Sequence, residues 1–300
     1  MRRGVNLGNA LEAPNEGDWG YRVEAAHLDA IAAAGFDGVR LPVRWDRHMD
    51  ARAMAARAHM ARVAEVVGWA LERGLIVQLD AHHYESLIAE PDRETPRFLA
   101  LWGQIAERFA EAPDALVFEP LNEPHGRAWD GARLTDVQAS VLEIIRASHP
   151  ERLVVFGPGN WQNIDALARW RPPEGANVAV SVHYYQPHAF THQGAEWLGD
   201  DAPVFGRAWG SEGDRRAVRA HIAQAAAWAS AHGYAMQLGE FGVNRAALPA
   251  QRALWTRAVR EACEAEGLGW CVWDFAGAFP VWDRARGAFI PEMRAALLER

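Results

Sequence analysis

Short apolar runs of strand length alternate along the chain with longer segments in which apolar residues recur at helical spacing. Helices that connect parallel strands produce this alternation, and eight strands are the number that closes a barrel. The pattern therefore predicts an α/β protein with the fold of a single (β/α)8 barrel, also called a TIM barrel. The eight runs cover residues 4–8, 38–41, 76–80, 116–121, 153–157, 178–182, 235–238 and 270–273.

The segments between these runs predict the outer helices. Amphipathic segments cover residues 23–34, 60–73, 98–109, 137–147, 217–232 and 252–266, and four of them end next to glycine: Gly35, Gly74, Gly233 and Gly267. The fifth unit is weaker, with one or two turns around 164–169. No linker or low-complexity tract divides the chain, so residues 1–300 are predicted to form one domain. The longest irregular segment, residues 185–213, is predicted to form part of a site.

A doubly wound open sheet is the competing architecture for this alternation of strands and helices. That fold commonly carries a glycine-rich phosphate turn after its first strand. The corresponding stretch here, "GVNLGNALEA", lacks the G-x-G-x-x-G spacing. The closed barrel is therefore the favoured prediction.

The charged residues exclude several classes of chemistry. The chain has 31 basic and 39 acidic side chains and a net charge of -8, which repels a nucleic-acid backbone. Every basic side chain is an arginine, since the sequence contains no lysine. Schiff-base chemistry, lysine-anchored pyridoxal phosphate and the lysine-dependent phosphate loop are thereby excluded. We expect no cofactor and no nucleic-acid partner.

The cysteines and the apolar runs bear on the compartment. Cys263 and Cys271 cannot form a disulfide framework and are predicted to be free, buried thiols. No run of 18 apolar residues is present, and the chain enters a strand pattern by about Gly4 without a charged-then-apolar leader. We therefore expect no membrane partner. The protein is either cytoplasmic or secreted with its signal peptide removed, and the sequence leaves both open.

Polar and aromatic side chains stand at nearly every predicted strand exit, where (β/α)8 proteins carry their functional groups. This is more than a solvated rim requires. Some of them also have structural interpretations: the histidine pair as loop residues, and the tryptophans as core. These residues are Asn9 and Glu12, Arg40, His82 and His83, Asn122 and Glu123, Trp161, His183 and Tyr185, Glu240, and Trp273 and Asp274.

Two carboxylates carry the most information. Glu123 ends the fourth run, in "LVFEPLNEPHG", and Glu240 ends the seventh, so the two can face each other across the barrel mouth. Two carboxyl groups on either side of a scissile bond are what glycoside hydrolysis requires. Glu119 lies four positions before Glu123, on the same side but deeper. It is predicted to be a buried structural carboxylate partnered by an arginine.

At these residues the chain resembles glycoside hydrolase family 5, the β-glucan and β-mannan hydrolases. The resemblance extends over residues 4 to 277. Its first and fifth stretches look especially like thermophilic endoglucanases that also accept mannan. The matching stretches are "GVNLGNALEAPNEGDWG", "VRLPVRW", "LDAHHYE", "LNEP", "SVHYYQPHAFTHQGAEW", "LGEFG" and "VWDFAG".

The resemblance implies a role for each residue of the predicted site. Glu123 would be the acid/base and Glu240 the nucleophile, and Trp273 would lie under the sugar ring at the cleavage point. Trp197, in the long loop, would stack on a more distant sugar. The remaining roles are orientation of the nucleophile by Arg40 and Tyr185, binding of the 2-hydroxyl by Asn122, lining of the sugar site by His82 and His183, and contact with neighbouring hydroxyls by Asn9, Glu12 and His83.

The expected function is that of a monomeric, retaining, endo-acting β-1,4-glycoside hydrolase that cleaves β-glucan, as a β-linked polysaccharide or oligosaccharide, without a metal. A β-1,4-mannanase or an oligosaccharide-directed β-glucosidase or mannosidase of the same family is the alternative, so glucan against mannan and endo against exo action stay open. Two alternatives belong to other classes. One is a metal-dependent barrel hydrolase that uses His82, His83 and His183 with a carboxylate. The other is a carbohydrate-binding barrel without catalytic activity.

Overall fold

The computed structural model of the chain describes residues 1–129 and 131–299. Asp130 and Arg300, both inside the predicted domain, lie outside the described residues. Eight parallel strands pair in chain order, and β1 also pairs with β8, so the sheet closes into a barrel. The strands are β1 (Arg3–Asn6), β2 (Gly38–Val43), β3 (Ile76–Ala81), β4 (Leu116–Glu119), β5 (Val154–Phe156), β6 (Val178–His183), β7 (Ala235–Glu240) and β8 (Gly269–Val272).

The barrel prediction is confirmed, and the open-sheet alternative is wrong. Each of the eight predicted runs coincides with a strand, and the differences lie at the ends. β4 stops at Glu119, before the predicted end at residue 121, because Pro120 has no N–H to donate to the ladder. β2 and β7 each run two residues farther than predicted, and β7 thereby carries Glu240 as its last residue.

The helices surround the barrel, and their apolar faces pack against the outer faces of the strands. The predicted glycine ends are confirmed, since Gly35 and Gly233 both adopt left-handed backbone at helix C-termini. The helices are α1 (Ala25–Ala34), α2 (Arg57–Glu72), α3 (Glu85–Ala89), α4 (Pro91–Arg108), α5 (Ala132–Ser148), α6 (Gly159–Gln162), α7 (His188–Thr191), α8 (Glu212–His232), α9 (Pro249–Ala265) and α10 (Pro291–Leu298).

The fifth unit has no long helix, as predicted. β5 is followed by α6, in which Asn160 and Trp161 have left-handed backbone angles, and then by a 3-10 helix, Ile164–Arg169. Near the C-terminus, Trp282–Asp283 and Ala288–Phe289 form a small antiparallel pair, β9 and β10. Within the described residues, no helix combines the length and the apolar character that a bilayer crossing requires.

The inside of the barrel is polar in the part nearest the C-terminal ends of the strands. Asn6, Arg40, Gln78 and Glu119 are buried there, on four neighbouring strands. Buried polar groups are stable only when they are hydrogen-bonded to one another. Cys263 and Cys271 are buried free thiols, as predicted. The polar layer forms the floor beneath the strand exits.

Candidate active site

A cleft of about 1280 Å³ opens at the C-terminal ends of the strands. Ten of the twelve predicted site residues line it, and the long loop predicted to form part of a site contributes one of its walls. Arg40 and Asn122 are not in the wall and lie in the floor beneath it. The lining residues from the predicted set are Asn9, Glu12, His82, His83, Glu123, His183, Tyr185, Trp197, Glu240 and Trp273.

Arg40 organises the floor. Its guanidinium donates to Glu119 through Nε at 2.6 Å and to Glu240 through NH1 at 2.7 Å. NH2 donates to the Asn122 side-chain oxygen at 2.7 Å and lies 2.8 Å from Asp80. One cation therefore contacts three buried carboxylates, and the rigid fork of the guanidinium sets where each of them lies.

Glu119 is the buried structural carboxylate that the sequence predicts, and Arg40 is its arginine partner. Burial opposes ionisation of Glu119, but the attraction and hydrogen bonds of Arg40 outweigh it and hold the pKa below its ordinary value. For Asp80 burial dominates, and the pKa of that carboxyl is raised well above its usual range despite Arg40. Asp80 also lies 3.3 Å from His82 Nδ1, which orients the ring of His82.

Glu240 is held from two sides. Its Oε1 accepts from Arg40, and its Oε2 accepts from the Tyr185 hydroxyl at 2.9 Å. These are the two orienting residues that the resemblance implies. Burial raises the pKa of Glu240 to about 7, although His183 and Arg40 both act to lower it. Arg40 therefore does not by itself keep Glu240 ionised, because burial has the larger effect.

Glu123 stands higher in the cleft, and its side chain is 26% exposed. Its backbone has a left-handed φ of 44°, and its N–H donates to the side-chain oxygen of Gln162 at 2.8 Å. The strain of that conformation is offset by this contact, which aims the side chain across the cleft. Its Oε1 lies 2.8 Å from His183 Nδ1. Burial raises the pKa of Glu123 to about 7, with Arg40 and His125 opposing.

The two carboxylates face each other as the sequence predicts. One oxygen of Glu123, one oxygen of Glu240 and a ring nitrogen of His183 all lie within 4.8 Å of one another. A short separation near 5 Å is typical of retaining glycosidases, whereas inverting enzymes need roughly 6.5–9.5 Å. Of the two facing carboxylates, Glu240 is the one that contacts Arg40, and this cation favours its ionised form. A proton shared between Glu123 and Glu240 is therefore more stable on Glu123.

The histidines do not form the ligand set of the metal-dependent alternative. Within the described residues, the group able to hold a metal ion is Glu123, His183 and Glu240, without His82 or His83. His82 instead stacks on Trp273, with ring centroids 5.2 Å apart and an interplanar angle of 5°. Arg40 NH1 lies 2.7 Å from Glu240 Oε1, so a metal ion bound by the three-residue group would be repelled by the nearby guanidinium. The ligand set proposed for that alternative is therefore wrong.

Aromatic side chains form the walls of the cleft. Trp197 is 57% exposed and packs near Phe279, with centroids 5.7 Å apart. Trp161 is 52% exposed and stacks on His125 at 4.6 Å, so its interpretation as a core residue is wrong. Trp19, 44% exposed, also lines the cleft. Trp19 and Phe279 were not predicted, and the 14 tryptophans among 300 residues are the signal that could have pointed to further aromatic residues at the site.

Two buried carboxyl groups, Glu12 and Asp274, accept hydrogen bonds from the segment that follows β1. The Glu12 carboxylate accepts from the backbone N–H groups of Asn9 and Ala10, and the Asn9 amide donates to Asp274. Burial raises the pKa of Glu12 to about 8 and that of Asp274 to about 7. Gly8 allows Trp273 to approach, because a Cβ there would lie 2.9 Å from the indole ring. Contacts of Asn9 and Glu12 with a sugar stay a prediction.

A long aromatic cleft over a close pair of carboxyl groups, at the mouth of a closed (β/α)8 barrel, defines the class of glycoside hydrolases. Comparison with known proteins gives the family. The chain belongs to the cellulase family, glycosyl hydrolase family 5, whose model matches residues 4–278. The resemblance read from the sequence is thereby confirmed.

Individual relatives agree with this assignment. The chain is 33% identical over 276 residues to Endoglucanase H of Acetivibrio thermocellus, which is 91% of this chain but 29% of that relative. It therefore spans less than a third of that curated relative's length. It is 38% identical to Thermotoga maritima Cel5A in complex with cellobiose, with a TM-score of 0.96 and coverage of 99% and 97%. To Cel5A in complex with mannotriose it is 37% identical, with a TM-score of 0.94 and coverage of 99% of this chain and 97% of that one.

Proposed function

We propose that the chain is a retaining, endo-acting β-1,4-glucan hydrolase, with Glu123 as acid/base and Glu240 as nucleophile. The observation that carries the proposal is the close approach of these two carboxylates in different surroundings. Glu240 accepts hydrogen bonds from Arg40 and Tyr185, whereas Glu123 contacts His183. The names of the endoglucanase relatives support β-glucan as the substrate. The open cleft supports attack within a chain, and we propose action as a monomer.

In the first step, Oε2 or Oε1 of Glu240 attacks the anomeric carbon while Glu123 gives its proton to the glycosidic oxygen. The bond between the anomeric carbon and the glycosidic oxygen breaks. The oxygen keeps the electron pair and binds that proton, so the leaving sugar departs as an alcohol. Arg40 and Tyr185 hold the Glu240 carboxylate against rotation, so the attacking oxygen is already in place. A glycosyl ester on Glu240 is the product of this step.

In the second step, Glu123 acts as the base. Formation of the ester removes the negative charge of Glu240, and a negative charge this close to Glu123 opposes its ionisation. The ionised form of Glu123 then becomes more stable and takes a proton from the attacking water. Water replaces Glu240 at the anomeric carbon with net retention, and the proton returns to Glu123.

The other predicted residues hold the sugar at the cleavage point. We propose that Trp273 provides the platform under the ring, since it lines the cleft and its own face is fixed by His82. Asn122, oriented by Arg40, would hold the 2-hydroxyl. His82, His83, Asn9 and Glu12 would contact neighbouring hydroxyls, as they line the same wall.

Mannan is the second candidate substrate, because the Cel5A relative was solved with mannotriose as well as cellobiose. The test is product analysis on defined β-1,4-gluco- and mannooligosaccharides, with the anomer of the first product followed by NMR. We expect internal cleavage of the glucan series with release of the β-anomer. Release of the α-anomer would overturn the retaining mechanism. Sugar binding without any product would favour the carbohydrate-binding alternative.

Replacing Glu123 by glutamine removes the proton donor with little change in shape. We expect kcat/KM for unactivated oligosaccharides to fall by roughly 10²–10⁴, the usual contribution of general acid catalysis. Aryl glycosides with good leaving groups should be slowed far less in the glycosylation step, because their departure needs no proton. Kinetics on both substrate types check this. An equal loss on both would show that Glu123 is not the acid.

Replacing Trp197 by alanine tests for an extended cleft. The exposed indole offers stacking to a distant sugar, and ~1.4 kcal/mol of lost stacking corresponds to roughly tenfold weaker kcat/KM. We expect that loss on a six-sugar substrate and almost none on a two-sugar one. Trp273→Ala should slow both, because that ring lines the cleft beside the carboxylates.

Phe205→Ala is the matched control for Trp197→Ala. Phe205 is an exposed aromatic of the same loop that does not line the cleft, so its loss should leave the six-to-two-sugar ratio unchanged. If Trp197→Ala instead lowers the melting temperature and slows both substrates alike, Trp197 only supports its loop.

A further inference from the structure

Two buried polar atoms beneath the carboxylate pair have no hydrogen-bond partner among the described residues, and they border the same space. They are the Ser181 hydroxyl oxygen and His183 Nε2. Both residues lie on β6, two positions apart, and both are buried. A Cβ at Gly239, on the neighbouring strand β7, would lie 2.2 Å from Ser181 Oγ and 3.1 Å from His183 Nε2. Glycine at this position therefore keeps open the space that the two atoms share.

The opposite nitrogen of His183 faces the catalytic carboxylates. Nδ1 lies 2.8 Å from Glu123 Oε1 and 3.6 Å from Glu240 Oε2. Burial lowers the pKa of His183, so the ring is neutral and carries a single N–H. A lone pair on Nδ1 would face two carboxylates, whereas an N–H there donates to Glu123. The proton therefore belongs on Nδ1, and Nε2 is left as a buried acceptor.

We propose that the Ser181 hydroxyl is a positioning residue that donates to His183 Nε2 and thereby fixes the Nδ1–H tautomer facing Glu123. Among the described residues the hydroxyl has no hydrogen-bond partner, and His183 Nε2 is a buried acceptor, also without a partner, that borders the same space. A small rotation or one bridging water completes the contact. The proposal rests on the proposed role of Glu123 and adds the residue that controls where its proton lies.

The consequence concerns Glu123 directly. When Nδ1–H occupies Oε1 of Glu123, the acidic proton is kept on the other oxygen, which is free to face the glycosidic bond. In the opposite tautomer the carboxylic acid would donate its proton to Nδ1, and that proton would be withheld from the substrate. The charged groups around His183 are Glu123, Glu240, Arg40, Glu119 and Asp80, and none of them reaches Nε2 as a hydrogen-bond partner.

Ser181→Ala is the test variant, and Thr256→Val is its matched control. Thr256 also carries a buried hydroxyl without a partner, but it lies on α9, away from the cleft. If Ser181 were only a buried hydroxyl, both variants should behave alike. We instead expect Ser181→Ala to lose roughly tenfold in kcat/KM on unactivated oligosaccharides, the factor produced by one hydrogen bond. Activated aryl glycosides should change little.

The pH profile gives a second readout, with a definite sign. An N–H donor favours the ionised form of Glu123, and its loss raises the pKa of that carboxyl. The alkaline limb of kcat/KM should therefore move to higher pH by roughly one unit in Ser181→Ala, while the plateau falls. Thr256→Val should leave both unchanged. Equal profiles for the two variants would overturn the proposal.

The tautomer can also be measured without substrate. In protein labelled with ¹⁵N-histidine, we expect His183 to show a protonated Nδ1 and an unprotonated Nε2, with the signal assigned by its loss in His183→Gln. A protonated Nε2 in the unmodified protein would overturn the proposal, even if Ser181→Ala failed to fold. If no β-glucan is cleaved at all, the proposed function fails, while the role of Ser181 is still decided by the same spectrum of Ser181→Ala, in which the Nδ1-protonated form should be less populated.

Discussion

Glu240→Gln is expected to lose roughly four orders of magnitude or more in kcat, because an amide cannot form the glycosyl ester. The fold should be retained, since the glutamine oxygen can still accept from Arg40 or Tyr185. Burial already opposes the charge of Glu240, so the neutral variant should unfold at the same temperature or a higher one. Steady-state kinetics measures the loss in kcat, and thermal unfolding measures the change in melting temperature.

Two further variants sharpen the Glu240 result. Glu94→Gln changes a buried glutamate of α4 that pairs with Arg93 and Arg97 outside the cleft, and it should keep full activity. Glu240→Ala with added azide should yield a glycosyl azide of inverted configuration, because azide takes the place of the missing carboxylate. Activity retained in Glu240→Gln would remove this residue as the nucleophile.

Replacing Arg40 by methionine is expected to have the largest effect on stability. The variant would leave Asp80, Glu119 and Glu240 buried without their cation. Removing one partner of a buried ion pair costs about 3–5 kcal/mol of unfolding free energy, and three carboxylates are affected here. Urea unfolding at neutral pH measures the deficit. Activity should be lost as well, because Glu240 and Asn122 both lose their orienting contact.

The deficit of Arg40→Met should depend on pH. Without the cation, the pKa of Glu119 in the folded protein rises above that of the unfolded chain, and the pKa values of Asp80 and Glu240, already raised by burial, rise further. The folded variant then binds more protons, so its stability is recovered as the pH falls and is lowest at neutral pH. A deficit that grows toward pH 5 would contradict this account.

Arg62→Met is the control for Arg40→Met. Arg62 also contacts two carboxylates, but its side chain is 20% exposed, and those of Glu16 and Glu65 are 8% and 51% exposed. Solvent reaches these three side chains and screens the pair with Glu65, so the loss should be smaller than in Arg40→Met. Comparable losses in the two arginine variants would show that burial of the Arg40 network matters less than we infer.

The fold could be predicted because each unit of it carries its own periodicity. The eight runs and the glycines that end the helices are local features, and no long-range contact was needed to read them. The site residues could then be predicted from the strand ends, since a barrel brings the C-terminal ends of all its strands to one mouth. Glu123 and Glu240, 117 positions apart in the chain, were paired on that basis alone.

Other parts of the site depend on contacts that no local pattern encodes. Gln162 supports Glu123 only because residues 160–162 take left-handed backbone angles, and the same turn exposes Trp161. The pKa of Glu240 is set by burial, which follows from packing of the whole barrel. Asp80 could have been suspected, since it ends the third predicted run, but nothing in the sequence brings it to Arg40.

Among the described residues, the floor of the cleft contains more buried carboxyl groups than cations, with Arg40 against Asp80, Glu119 and Glu240. The sugar carries positive charge at the moment of cleavage, so the imbalance that Glu119 and ionised Glu240 create against Arg40, even with Asp80 protonated, stabilises the transition state over the neutral substrate. The same imbalance favours small protonated amines. Basic imino sugars should therefore be stronger inhibitors than their neutral counterparts, and we expect a protonated amine buffer such as Tris to raise KM relative to a zwitterionic buffer at the same pH.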